Sequence, residues 1–86
     1  MNSSTTPKFR DHFRDLPMET QELARKNFKL WLRDPRHPSL RFKKVGKHWS
    51  VRIGRDYRAL ADFIGDSFEW FWIGPHEDYK FILGKR

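Results

Sequence analysis

The chain of 86 residues has no cysteine, which excludes disulfides, thiolate nucleophiles and thiolate metal sites together. Glycine is also scarce. The five present stand one at a time at the ends of strand-like runs, never as a Gly-rich loop able to cradle a nucleotide phosphate, so no nucleotide or other cofactor is expected. His12, His37, His48 and His76 are scattered singly, without HExxH spacing or a cluster of carboxylates, and no metal site is expected. No apolar run is long enough for a bilayer, and mean hydropathy is −0.88. The polar opening MNSSTT lacks the apolar stretch of a secretory signal, so a cytoplasmic location without membrane contact is expected. Negative charge is in deficit as well: 11 Asp and Glu face 18 Lys and Arg, a net charge of +7. A polyanion such as a nucleic acid or ribonucleoprotein is therefore the first partner to consider.

What the chain has in quantity is aromatic surface. Eight Phe, four Trp and two Tyr make up 16% of the residues, and large rings let a short chain bury area without disulfides. The length fits one domain, 1–86, with residues 1–5 expected to be disordered. Thr5-Thr6-Pro7 offers a hydroxyl cap followed by a proline at the first helical position. Phe9, Phe13 and Leu16 then share one helical face until Leu16-Pro17 interrupts it. From Met18 to Arg33 no glycine or proline occurs, and Leu23, Ala24, Phe28, Leu30, Trp31 and Leu32 fall in one broad sector opposite Glu22, Arg25, Lys26, Lys29 and Arg33. Asp34 to Ser39, with Pro35 and Pro38, is a loop. The two helices are expected to form a hairpin.

The second half changes period. Leu40–Val45, Trp49–Ile53, Tyr57–Ile64 and Ser67–Ile73 are four strand-length runs joined by short glycine-containing links, which implies antiparallel hairpins. In the second run Trp49, Val51 and Ile53 alternate with Ser50 and Arg52, so one face packs on the helices and the other is polar and cationic. The fourth run is apolar in both parities apart from Glu69, and the tail Tyr79–Leu83 would cover its second side. The expected fold is α+β: a helical hairpin on a four-stranded, mainly antiparallel twisted sheet, with a short C-terminal tail.

Cations concentrate on the polar sheet face. Arg41 and Lys43 share one parity of the first run, Lys44 lies beside them, and Arg52 sits on the polar parity of the second. Arg58 lies among Tyr57, Ala59, Leu60 and Ala61, where an unpaired charge would cost several kcal/mol. It either pairs with Asp62 or Glu69 and holds the sheet, or it clamps a phosphate. His76, after Ile73-Gly74-Pro75, falls where a turn can present an imidazole to a groove, and histidine titrates near neutrality. It is a candidate for proton transfer, or an ordinary solvated residue. Tyr79 either stacks on a base or packs beside Phe81. On the run Met18 to Arg33, the cations Arg25, Lys26, Lys29 and Arg33 are either an RNA-binding surface or a solvated helix face.

The segments LRFKKV, HWSVRIGRDYRAL and FEWFWIGPHEDY, in this order behind two helices, resemble the RelE/ParE superfamily of bacterial type II toxin–antitoxin toxins. The resemblance spans about Phe9 to Tyr79. Many members open with an apolar edge strand, which MNSSTT does not match, so the sheet is expected to be one strand smaller. The resemblance implies a toxin restrained by a cognate antitoxin and, in the RelE-like branch, a ribosome-dependent mRNA endonuclease that needs no metal and inhibits translation. It assigns Arg58, Arg52, His76 and Tyr79 to catalysis, and Lys43 and Lys44, with Arg41, to RNA binding. No glutamate matches a catalytic position. Two alternatives remain open at this point: a ParE-like inhibitor of DNA gyrase without nuclease activity, and a non-catalytic nucleic-acid-binding module.

Overall fold

A computed structural model describes residues 2–84, with side chains through Ile82. The order of elements is β1 (Asn2–Thr5), α1 (Pro7–Arg14), α2 (Met18–Arg33), a 3₁₀ turn (Pro38–Leu40), β2 (Lys43–Val45), β3 (His48–Ile53), β4 (Tyr57–Ile64), β5 (Ser67–Pro75) and α3 (His76–Gly84). The strands form one mixed sheet in the order β1-β5-β4-β3-β2, with β1 parallel to β5 and every other pair antiparallel.

Two helix signals hold as read. Thr6 caps α1 by accepting from Phe9 N at 3.0 Å, with Pro7 at the first position, and α2 has the expected limits. The four-stranded expectation is corrected to five. Met1 lies outside the described residues, but Asn2–Thr5, expected to be disordered, pair with Ser67–Trp70 as an edge strand. Its polarity misled because an edge strand needs backbone hydrogen bonds more than apolar side chains; Thr6 N extends the pairing by donating to Trp70 O at 3.0 Å. The first expected strand also shortens to Lys43–Val45, because Pro38 starts a 3₁₀ turn and Arg41 adopts φ 46°. The helices are less a hairpin than two neighbours laid on the sheet, α1 against β5 and α2 against β3. They meet where Arg25 sits over the Phe13 ring at 5.1 Å and Gln21 donates to Arg14 O.

The core lies between these helices and one face of the sheet. Trp31 is 1% exposed and packs edge-on against Phe42, Phe68 and Trp70, with ring centroids 5.3–5.6 Å apart. On α2 only Ala24 and Trp31 are fully buried, while Leu23, Phe28 and Leu32 of the same sector remain partly exposed. Opposite-face cover comes from α3, which packs on β4 and β5. The expected tail is thus a helix. Its first turn is tied down by His76 N donating to Asp56 O at 2.7 Å.

In β5 the register slips so that Leu60 faces Trp72 and Ala61 faces Trp70, leaving Phe71 as a bulged residue. Trp72 then lies over Gly74: a Cβ there would stand 2.7 Å from Trp72 Cζ2. Gly65, by contrast, has φ +65° with open space around it. Gly74→Ala should cost about 2–3 kcal/mol by overpacking a buried indole, whereas Gly65→Ala should cost only the left-handed backbone penalty of about 1–2 kcal/mol. Urea denaturation of both variants checks this. A Gly74→Ala protein as stable as the parent would mean that Trp72 is not confined as described.

Candidate functional site

The pleat decides which side chains can meet. Val51, Ile53, Ala59 and Ile73 point beneath the helices, so Ser50, Arg52 and Arg58 point to the other face. There they join Arg41, Lys43, His76 and Tyr79 around an open hollow of about 360 Å³. Arg52 and Arg58 are cross-strand partners in the β3–β4 register, and Lys43 is the partner of Ser50 in β2–β3. The 3₁₀ turn and the left-handed Arg41 bring that residue to one side, and α3 brings His76 and Tyr79 to the other. All four residues assigned to catalysis from the sequence therefore line one concavity.

The two guanidinium groups are held by backbone carbonyls. Arg52 Nε donates to Gly54 O at 2.9 Å, and Arg58 Nη1 donates to Tyr57 O at 2.8 Å and to Arg55 O at 3.3 Å. Arg58 also lies 5.9 Å from the centre of the Tyr79 ring, while His76 and Tyr79 stack at 5.3 Å. Among the described residues no carboxylate comes within ion-pair distance of Arg41, Lys43, Arg52 or Arg58. Partial burial, then the neighbouring Arg52, lowers the Arg58 pKa; Arg41 adds to this, and Tyr79 and Asp56 oppose it. Arginine stays charged regardless. The shift marks instead a cation that an incoming anion would stabilise.

The reading in which Arg58 pairs with Asp62 or Glu69 fails on geometry. Asp62 stands four residues along the same strand, about 13 Å away at the usual rise, and its carboxylate meets His48 Nδ1 at 2.5 Å. Glu69 is the cross-strand partner of Asp62, at the same far end.

Other sequence candidates lie elsewhere. Lys44 is the partner of Trp49, on the helix side of the sheet, and does not line the hollow. Arg25, Lys26, Lys29 and Arg33 are exposed on α2, and the sheet stands between that helix and the hollow. They form a separate surface. Two contributors were missed. Ser50, 3% exposed, forms the floor, and Asp56 anchors the start of α3 through its carbonyl. The alternation Trp49-Val51-Ile53 already placed Ser50 beside Arg52 on the polar parity, so that signal was available; nothing local pointed to Asp56.

The sequence model of the ParE-like toxin domain matches residues 19–80. No curated protein sequence matches the chain. Among solved structures, a chain of the RelB–RelE antitoxin–toxin complex from Methanococcus jannaschii superposes with a TM-score of 0.71 at 12% identity, covering 91% of this chain and 95% of that one. The YoeB/ParE toxin from Agrobacterium tumefaciens gives 0.69 at 16% identity, covering 88% and 99%. The isolated E. coli RelE toxin gives 0.63 at 15%, covering 94% and 97%. At these identities the superpositions establish the shared fold, and the match over residues 19–80 establishes the family. The chain belongs to the ParE-like toxins, within the RelE/ParE superfamily of toxin–antitoxin systems.

Proposed function

We propose that this chain is a metal-independent mRNA endonuclease acting on the translating ribosome in the cytoplasm, held in check by a cognate antitoxin. The observation that carries this reading is that Arg58 and His76 line the same hollow, with Arg52, Lys43 and Arg41 around them and no ion-paired carboxylate in reach among the described residues. Such a set matches a phosphodiester under attack. The RNA 2′-oxygen bonds to the adjacent phosphorus, its proton leaves to a base, the bond to the 5′-oxygen breaks, and that oxygen takes up a proton. Products are a cyclic phosphate and a 5′-hydroxyl. His76 serves the proton transfer. Arg58, through its planar fork, meets the non-bridging oxygens as negative charge builds, and Arg52 with Lys43 and Arg41 holds the flanking backbone. Tyr79, stacked on His76, orients the nucleotide.

A binding module alone would not need an imidazole among these cations, and an inhibitor acting by protein contact on gyrase would not need the constellation at all. For the partner, the M. jannaschii neighbour and the E. coli RelBE neighbour are antitoxin–toxin complexes. An antitoxin segment carrying acidic side chains would satisfy the unpaired cations of the hollow here. No helix among the described residues is long and apolar enough to cross a membrane.

In a translating extract, Arg58→Ala should lower mRNA cleavage about 100- to 1000-fold, the usual loss on removing one preorganised charge donor, and His76→Ala should do likewise, both read by mapping mRNA 5′ ends. Wild-type cleavage by Arg58→Ala would remove the phosphate clamp. Intact mRNA with trapped gyrase complexes after induction would instead establish the gyrase reading.

The two faces of the sheet also separate neighbouring lysines. Lys43→Ala should weaken binding of an uncleavable 2′-deoxy oligonucleotide and flatten its logarithmic salt dependence by about 0.7, the slope that one neutralised phosphate contributes on a single strand. Lys44→Ala should leave both nearly unchanged, and Arg25→Ala with Lys29→Ala should likewise spare oligonucleotide binding. Equal weakening by Lys43→Ala and Lys44→Ala would show that the hollow is not where the strand runs.

A further inference from the structure

The hollow holds one polar group that the proposed cleavage leaves unused. Ser50 lines it beside Arg52, is only 3% exposed, and its hydroxyl has no hydrogen-bond partner among the described residues. The neighbours do not supply one. His48, Ser50 and Arg52 share a face of β3, but His48 meets Asp62 and Arg52 Nε donates to Gly54 O. Across the strands Ser50 faces Lys43 on one side and the apolar Leu60 on the other. A hydroxyl buried to this degree is ordinarily paired, and the opening left to this one is the hollow.

The lining decides what kind of partner fits. A hydroxyl offers one donor and two acceptor lone pairs, whereas Arg41, Lys43, Arg52 and Arg58 are donors without an acceptor. His76 and Tyr79 can accept, but they come from α3 on the other side of the hollow, and the proposed cleavage employs them at the reacting link. Ser50 is the acceptor that the sheet itself contributes. A phosphate has donors in excess here and no need of it. A ribose 2′-hydroxyl has a hydrogen to place and needs an acceptor. Location agrees: beyond Ser50 on the same face lie the His48–Asp62 pair and Glu69, where carboxylates oppose a further phosphate but not a neutral sugar. Ser50 is two residues from Arg52, about 7 Å along the strand, so a sugar there adjoins the scissile link without being the attacking one.

We propose that Ser50 is a specificity-determining residue, reading the 2′-hydroxyl of a ribose that flanks the scissile link by accepting its hydrogen at Oγ, and thereby selecting RNA over DNA at the binding step. The inference rests on the nuclease reading for the strand that occupies the hollow.

The test measures binding to the full chain by fluorescence anisotropy, using a short labelled 2′-deoxy oligonucleotide and copies carrying a single ribose moved position by position. A ribose in at least one position should tighten binding about five- to tenfold, the usual worth of one hydrogen bond. Ser50→Ala should erase that gain and leave the affinity for the all-deoxy strand unchanged; it breaks no bond in the fold. Ser50→Cys, whose thiol accepts weakly, should lose most of the gain as well. Absence of any ribose effect, which needs no variant to detect, would overturn the proposal, as would a gain that survives in a folded Ser50→Ala protein. Equal weakening of all-deoxy and ribose-bearing strands by Ser50→Ala would assign the hydroxyl to a phosphate and overturn it too. Failure to bind any of the strands would do the same. Mapping mRNA 5′ ends decides the nuclease reading separately: cleavage without a ribose effect removes this role of Ser50 alone, and a Ser50-dependent ribose effect without cleavage upholds it in a protein that does not cut.

Discussion

Two guanidinium groups placed directly across adjacent antiparallel strands repel each other, and the β3–β4 register puts Arg52 opposite Arg58. Asp56 offsets that repulsion only in part at Arg58, and each group is otherwise held by backbone carbonyls, which neutralise no charge. The arrangement persists only because the rest of the sheet fixes the register. A one-residue slip of either strand would turn its arginine beneath the helices and its apolar residue, Val51 or Ala59, out to water, and the buried aromatic cluster around Trp31 forbids it. The same core that stabilises the fold thus holds two cations in a position that the fold alone would not choose. Local rules broken at the expense of stability are a mark of function.

Each face of the sheet has one task, and the connections keep them apart. The helix side buries Trp70, Val51 and Ile53 together with Trp31 of α2. The open side carries cations at one end and the His48–Asp62 pair with Glu69 at the other. Strand rise puts about 13 Å between Arg58 and the nearest same-strand carboxylate on that face, too far for the side chains to meet. Charge is not merely in excess here; it is segregated along the strands, leaving one concavity with unbalanced positive charge while acidic residues lie beyond it.

Much of this was legible because it depended on local periodicity. The limits of α2 followed from an uninterrupted run between Pro17 and Pro35, those of β4 from glycine-bearing turns, and the polar parity of β3 from its alternation. The parts that escaped depend on distant partners. Asn2–Thr5 becomes a strand only because β5 offers a free edge, and nothing in NSST encodes that. The tail becomes α3 because His76 N finds Asp56 O, a bond across 20 positions that no periodicity shows. Arg41 reaches the hollow through a left-handed backbone that Pro38-Ser39-Leu40 did not announce. The separation of Lys43 from Lys44 was implicit in the pleat, but only once the strand was known to start at Lys43.

The position of His76 joins these threads. A histidine after a strand-ending Gly74-Pro75 pair would ordinarily face solvent on a turn. Here three constraints act on it together: β5 runs on through Pro75, α3 begins at His76, and the bond to Asp56 ties that start to the β3–β4 turn that also carries Gly54 and Arg55, the carbonyl partners of Arg52 and Arg58. One turn therefore holds the backbone of the imidazole and both guanidinium groups. Orientation of reacting groups is worth most when it is paid for in folding rather than at the moment of reaction, and this shared anchor supplies it. Residues 54–56 do not line the hollow themselves, yet in the proposed reaction they would fix whether the imidazole and the guanidinium face one phosphate.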